Sequence, residues 1–123
     1  MSVARQFANQ KCVSLETYRA DGTPVRTTVW VLEESGTLYI RTGPKTGKVK
    51  RIRKNPHVRL ASSDMNGKVT GSWAGGEAQI QDGADSARIL GLFRKKYGMT
   101  GRLIEFFNEL RGRRATVVIA VKL

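Results

Sequence analysis

The 123-residue sequence has one cysteine and one histidine, and each scarcity removes a chemistry. A lone Cys12 cannot form an internal disulfide, and a single thiol suits a reducing compartment. A Cys/His zinc site needs about four ligands, so no metal is assigned. A Ser-His-Asp arrangement would have to rest on His57 alone. That residue follows Asn55-Pro56 at the start of an apparent strand, where a structural role is the simpler reading. No apolar run approaches the ~18 residues of a membrane span, and the N-terminal MSVARQFANQK lacks the apolar centre of a signal peptide. These absences together predict a soluble cytoplasmic protein, and any enzymatic role would borrow its chemistry from a cofactor.

Acidic residues are also missing where they would matter most. The net charge is +12, and no Asp or Glu lies between Glu34 and Asp64. Into that gap fall Arg41, Lys45, Lys48, Lys50, Arg51, Arg53, Lys54 and Arg59. Such a balance implies an anionic partner without choosing among nucleic acid, a membrane surface and a phosphorylated or polycarboxylate ligand. From Arg41 to Ser72 there is no Phe, Tyr or Trp. Single-strand binders interleave cations with aromatic platforms, so a compact anionic ligand is favoured over a nucleic acid. The stretch RTGPKTGKVKRIRKNP superficially suggests a nucleotide P-loop. That motif needs four residues between its glycines and Ser or Thr after the lysine. Here Pro44, Lys45 and Thr46 separate Gly43 from Gly47, and Val49 follows Lys48, so the motif is absent.

What is present is alternation. Val13, Leu15 and Thr17 share one strand face; Val25, Thr27, Val29 and Val31 share another, opposite Arg26, Thr28, Trp30 and Leu32. Leu38 and Ile40 continue the pattern, with hairpin signals at Asp21-Gly22, Ser35-Gly36 and Asn66-Gly67. Further strands are predicted at Val58–Ser62, Lys68–Ser72, Glu77–Gln81 and the terminal RRATVVIAVKL. Six or seven antiparallel strands in this length predict a small, mainly β barrel forming a single domain over residues 1–123. Three helices interrupt it: from near Pro44 to Asn55, from Asp85 to Tyr97, and from Thr100 to Gly112. In the first, Lys45, Lys48 and Arg51 form one face while Val49 and Ile52 anchor the other. The cations start at a strand-to-helix junction, where free N–H groups favour an anion, and Thr42, Gly43 and Thr46 add hydroxyls and backbone freedom. The corner reads as a phosphate clamp.

In order along the chain stand P-V-x-T-x-V-W, L-Y-x-R-T, a T-G-K helix start, N-P-x-V-x-L and GSWAGGEAQI. This series, covering about Val13 to Leu123, resembles the flavin- and deazaflavin-binding split β-barrel family related to pyridoxamine 5′-phosphate oxidase, and is most similar to its coenzyme F420-dependent branch. The resemblance implies a homodimer with the cofactor at the subunit interface. It implies that Thr27, Thr28, Val29 and Trp30 lie beside the ring system, and that Arg26 meets the phosphate or ribityl chain. It further implies that Arg41, Thr42, Lys45, Thr46, Gly47 and Lys48 hold the phosphate, with Lys50 and Arg51 either toward a polyglutamate tail or facing water. Trp73 would line the ring or substrate pocket, or pack in the interface. FMN and coenzyme F420 both carry a ribityl phosphate, and the excess of cations matches the longer, polyanionic deazaflavin. The implied activity is hydride transfer from the reduced deazaflavin to an unsaturated or conjugated small molecule. An FMN-dependent enzyme of the same fold, a cofactor-binding protein without turnover and a basic nucleic-acid-binding barrel remain the alternatives. No catalytic residue is named, since Tyr18, Tyr39 and His57 cannot be ranked as proton donors.

Overall fold

The computed structural model describes residues 6–7, 10–43, 46–81, 87–96 and 117–123. Six strands, β1 (Cys12–Tyr18), β2 (Pro24–Glu34), β3 (Thr37–Thr42), β4 (His57–Ser63), β5 (Ala74–Gln81) and β6 (Val117–Lys122), are joined by helix α1 (Gly47–Lys54) between β3 and β4. A second helix, α2, covers residues 87–96. The strands close into an antiparallel barrel in the order β1-β2-β3-β6-β5-β4.

Period-two alternation sorts the side chains onto the barrel's two faces. Val13, Leu15, Val29, Val31, Leu38, Ile40, Val58, Leu60, Ile119 and Val121 form the interior, and Val49 and Ile52 of α1 belong to the same cluster. Those two residues are the buried positions of α1, as their i, i+3 spacing predicts. A smaller cluster forms on the outside, where Leu32, Tyr39, Val118 and Ala120 receive Ile89 and Phe93 of α2. Burying a side chain of this size is worth about 1.5–3 kcal/mol, so both clusters matter to a domain this small.

All three signals form turns, with Gly22, Gly36 and Gly67 at φ of 88°, 84° and 90°, and the first two join paired strands. Ser35 (φ 52°) and Gly36 are consecutive left-handed residues, which matches the twist of β2 and β3 in a two-residue turn. Two expectations need correction. Lys68–Ser72 does not form a strand; its one β contact is the isolated Ser63–Val69 bridge. Asp64 Oδ1 accepts from the amides of Asn66 and Lys68, holding a turn, and Val69 alone offers an apolar side chain to the sheet. Helix α1 begins at Gly47 rather than near Pro44, because Thr46 is extended (φ −74°, ψ 156°) and its hydroxyl donates to Gly43 O at 3.0 Å. Its end at Asn55 is as expected from Pro56. The helix expected over 100–112 lies outside the described residues.

β2 changes partner along its length. Pro24–Trp30 pair with β1, whereas only Val31–Glu34 pair with β3. Beyond Ile40, β3 continues beside β6 alone, with Arg41 opposite Val118 and Thr42 opposite Val117. The barrel therefore parts between the first half of β2 and the end of β3, where α1 begins.

Candidate functional site

The last residues of β3 and the first turn of α1 make a corner with an unusual surplus of donors. Thr42 is buried, and its hydroxyl lies 3.4 Å from that of Thr46. Thr46 occupies the N-cap position but makes no side-chain bond to the helix, having turned to Gly43 O instead. The first turn contains no acidic residue. The amides that begin a helix have no intrahelical acceptor, and among the described residues no carboxylate or hydroxyl cap meets them. Lys48 stands half-buried beside them, its ammonium made less basic by burial first and by the Arg51 charge second. Uncapped amides and an ammonium that pairs with no carboxylate among the described residues are donors suited to a phosphate, so the residues fit a phosphorylated cofactor. Of the residues expected here, Thr42, Thr46, Gly47 and Lys48 lie at this corner; Arg41 alternates onto the other face of β3, across from Val118, and Lys45 lies outside the described residues.

Along α1 the positive surface continues. Arg51 Nε donates to Thr17 Oγ1 at 2.7 Å, and its guanidinium folds back one turn over Gly47: a Cβ there would lie 2.7 Å from Arg51 Nη1. Beyond it lies a cleft of about 500 Å³ between the β1–β2 turn and α1, lined by Tyr18, Arg19, Ala20, Lys50, Arg51, Lys54 and Asn55. Lys50 and Arg51, expected near this region, both line it; Arg19 and Lys54 join them.

The β2 residues divide. Thr27 and Val29 lie on the face opposite Leu15 and Val13, whereas Arg26 and Thr28 lie across from Glu16 and Ser14. Their side chains therefore cannot converge on one ligand, and what they share is the β2 backbone beside the gap. Arg26 has its own partners. Glu16 sits between Arg26 and Arg59 in the register of β2, β1 and β4. Its Oε2 accepts from Arg26 Nε at 3.0 Å, and its Oε1 accepts from Arg59 Nε at 2.8 Å and from the Tyr18 hydroxyl at 2.7 Å. Both guanidiniums also lie over the Trp73 ring, at 4.8 and 4.9 Å from its centre. Glu16 is only 1% exposed. The Arg59 bond above all, helped by Tyr18 and Arg26, outweighs burial and holds its carboxyl at about 2. Among the described residues Arg26 makes no hydrogen bond to α1 or its corner, and Trp73 braces the two arginines.

Glu16 escaped the sequence reading, although the Asp21-Gly22 turn sets it opposite Arg26; Arg59 could not be paired with it without knowing the β1–β4 register. Among the proton-donor candidates, Tyr18 is tied to Glu16 and made less acidic by burial and by that carboxylate. Tyr39 is buried in the cluster under α2, and His57 is exposed at the start of β4, with Nδ1 3.9 Å from Glu77 Oε1.

A closed six-stranded barrel that parts beside a cationic strand-to-helix corner defines the split β-barrel class. The pyridoxamine 5′-phosphate oxidase family model matches residues 2–123, and the chain belongs to that family. Its members typically bind FMN or a related flavin and are commonly dimeric. The fold is shared with a protein related to general stress protein 26 from Clostridium acetobutylicum, of the pyridoxinephosphate oxidase family, at 22% identity and TM-score 0.65, covering 92% of this chain and 75% of that one. General stress protein 26 from Bacillus anthracis matches at 21% identity and TM-score 0.64, covering 97% and 84%. The heme storage protein HutZ from Vibrio cholerae matches at 12% identity and TM-score 0.70, covering 99% and 90%. No match was found among curated proteins. The fold thus serves oxidoreductases and non-enzymes alike.

Proposed function

We propose that the protein is a coenzyme F420-dependent oxidoreductase that delivers a hydride from the reduced deazaflavin to an unsaturated or conjugated small organic molecule. The observation that carries this reading is the continuity of positive charge from the α1 corner into the cleft of Arg19, Lys50, Arg51 and Lys54. One ribityl phosphate needs only the corner, and a ligand that continues as a chain of carboxylates uses the cleft as well.

Thr42, Lys45, Thr46, Gly47 and Lys48 would hold the phosphate, and Lys50 and Arg51 the first carboxylates beyond it. Thr27, Thr28, Val29 and Trp30 would present the β2 backbone to the ring at the gap, with a second copy of the chain closing the other side. Arg26 is given no part in the clamp, since Glu16 and Trp73 already hold it. When bound, the deazaflavin supplies the hydride from its C5 position. The protein's contribution is to orient the ring, fix the phosphate and keep water from the reacting carbon. FMN in the same corner is the second reading, favoured by the family's usual ligand.

A side-by-side fluorescence titration of the apoprotein with coenzyme F420 and FMN at physiological salt separates the two. Tight deazaflavin binding with weak FMN binding is expected, and the reverse preference assigns the protein to FMN. In the same assay Lys48→Ala is expected to lose most of the affinity, on the order of tenfold or more for a charge-assisted phosphate contact. Unchanged affinity in that variant would remove the corner as the site.

A further inference from the structure

Thr17 is out of place by the rules of the core. It follows Val13 and Leu15 on the inward face of β1, is 1% exposed, and occupies a position where valine has the same shape and a higher apolar content. Its hydroxyl has one described side-chain partner, Arg51 Nε at 2.7 Å. Gly47 is equally particular, because any Cβ there would meet Arg51 Nη1 at 2.7 Å. Two positions thus converge on one guanidinium.

The contrast with Arg26 and Arg59 explains what this accomplishes. Those two are held by a carboxylate, so Glu16 cancels one of their two charges. Arg51 is held by a neutral hydroxyl, and no carboxylate among the described residues forms an ion pair with it. A hydroxyl can orient a guanidinium without cancelling its field. The guanidinium lies over the first turn that carries Lys48, whose basicity is lowered first by burial and second by this charge. Two cations held together without a counter-ion repel each other, and an anion shared by both relieves that repulsion.

We infer that Thr17 and Gly47 are positioning residues for Arg51, which they hold over the first turn of α1 so that Arg51 and Lys48 together grip the anionic group bound there. This rests on the reading that the corner takes the phosphate of a flavin-type cofactor. It extends the part of Arg51 from the carboxylates beyond the corner to the phosphate itself, a part that Arg26, held by Glu16, does not take. Lys50 and Lys54 remain free to serve the outer cleft.

The test uses the full chain with Thr17→Val, Thr17→Ser and Gly47→Ala, measuring thermal unfolding and the dissociation constants for coenzyme F420 and FMN. Thr17→Val is expected to weaken binding about tenfold with an unchanged or raised unfolding temperature, and Thr17→Ser to restore it. Gly47→Ala is expected to displace the guanidinium and weaken binding with little change in the unfolding temperature, a separation that a merely structural role would not produce. Binding within twofold of the unsubstituted protein in both Thr17→Val and Gly47→Ala overturns the inference. Failure of the unsubstituted protein to bind either cofactor would instead overturn the proposed function. The inference would then be decided by titrating inorganic phosphate while following the Arg51 Nε–H resonance by NMR. A phosphate-induced shift that Thr17→Val abolishes supports it; an equal shift in both proteins, or none in the unsubstituted protein, overturns it.

Discussion

Glu16 shows how far a single residue's environment can move its chemistry. A carboxyl that ordinarily titrates near 4.5 is held at about 2 by Arg59, Tyr18 and Arg26 in a site that water barely reaches. Because the folded value lies below the unfolded one, the carboxylate's stabilisation is complete above about pH 4.5 and is lost as pH falls toward 2. The shift corresponds to a contribution on the order of 3 kcal/mol. Glu16→Gln is therefore expected to be markedly less stable than the unsubstituted protein at neutral pH, with the gap narrowing between pH 4.5 and 2. Urea unfolding of both proteins across that range checks it, and a gap that stays constant with pH would place the stabilisation elsewhere. Much of this lay beyond sequence reasoning. Glu16 and Arg59 are 43 residues apart, and Arg51 and Thr17 are 34 apart. Spacing along a strand reveals which face a residue occupies, but only the barrel's register reveals what stands beside it.

At the level of elements, the strands and their turns were legible because each carries its own period and its own punctuation. The β2–β3 hairpin is the clearest case, with Ser35 and Gly36 adopting the two left-handed conformations that a two-residue connection requires. Gly36→Ala is expected to cost about 1–2 kcal/mol through the positive φ. It should lower the unfolding temperature without altering cofactor affinity, as calorimetry and the fluorescence titration would show together. Where the period was short, the reading failed: Lys68–Ser72 has too few apolar side chains to claim a place in the sheet, and Asp64 turns it away. The start of α1 was misplaced for a related reason, since the Thr46 hydroxyl serves Gly43 and delays the helix to Gly47. The cationic strand-to-helix corner, proposed here as the clamp, was legible from its residue types. Its extension into a cleft was only half so, because Arg19 enters from the β1–β2 turn, a separate part of the chain.

For the molecule as a whole, the charge of +12 sets how ligand binding responds to salt. A ligand held by one phosphate and one held by a phosphate and several carboxylates should separate as ionic strength rises. Coenzyme F420 is expected to lose affinity more steeply than FMN between low and physiological salt, and parallel slopes would show that the cleft of Arg19, Lys50 and Lys54 takes no part. A second copy of the chain, proposed to complete the cofactor site, predicts a species of twice the monomer mass in light scattering. A monomer that binds cofactor with full affinity would show that one barrel is sufficient.

The position of β6 has a consequence for how the protein is made. This strand is inserted between β3 and β5, both of which precede it in the chain. During synthesis β1 and β2 can pair as soon as they emerge, and β3 and β4 can join them. The outer edges of β3 and β5 must then wait, with their backbone groups open to strands of neighbouring chains, until Val117–Lys122 clears the ribosome. The barrel thus closes in a single late step, and nascent chains stalled before Val117 should be the form most dependent on chaperones.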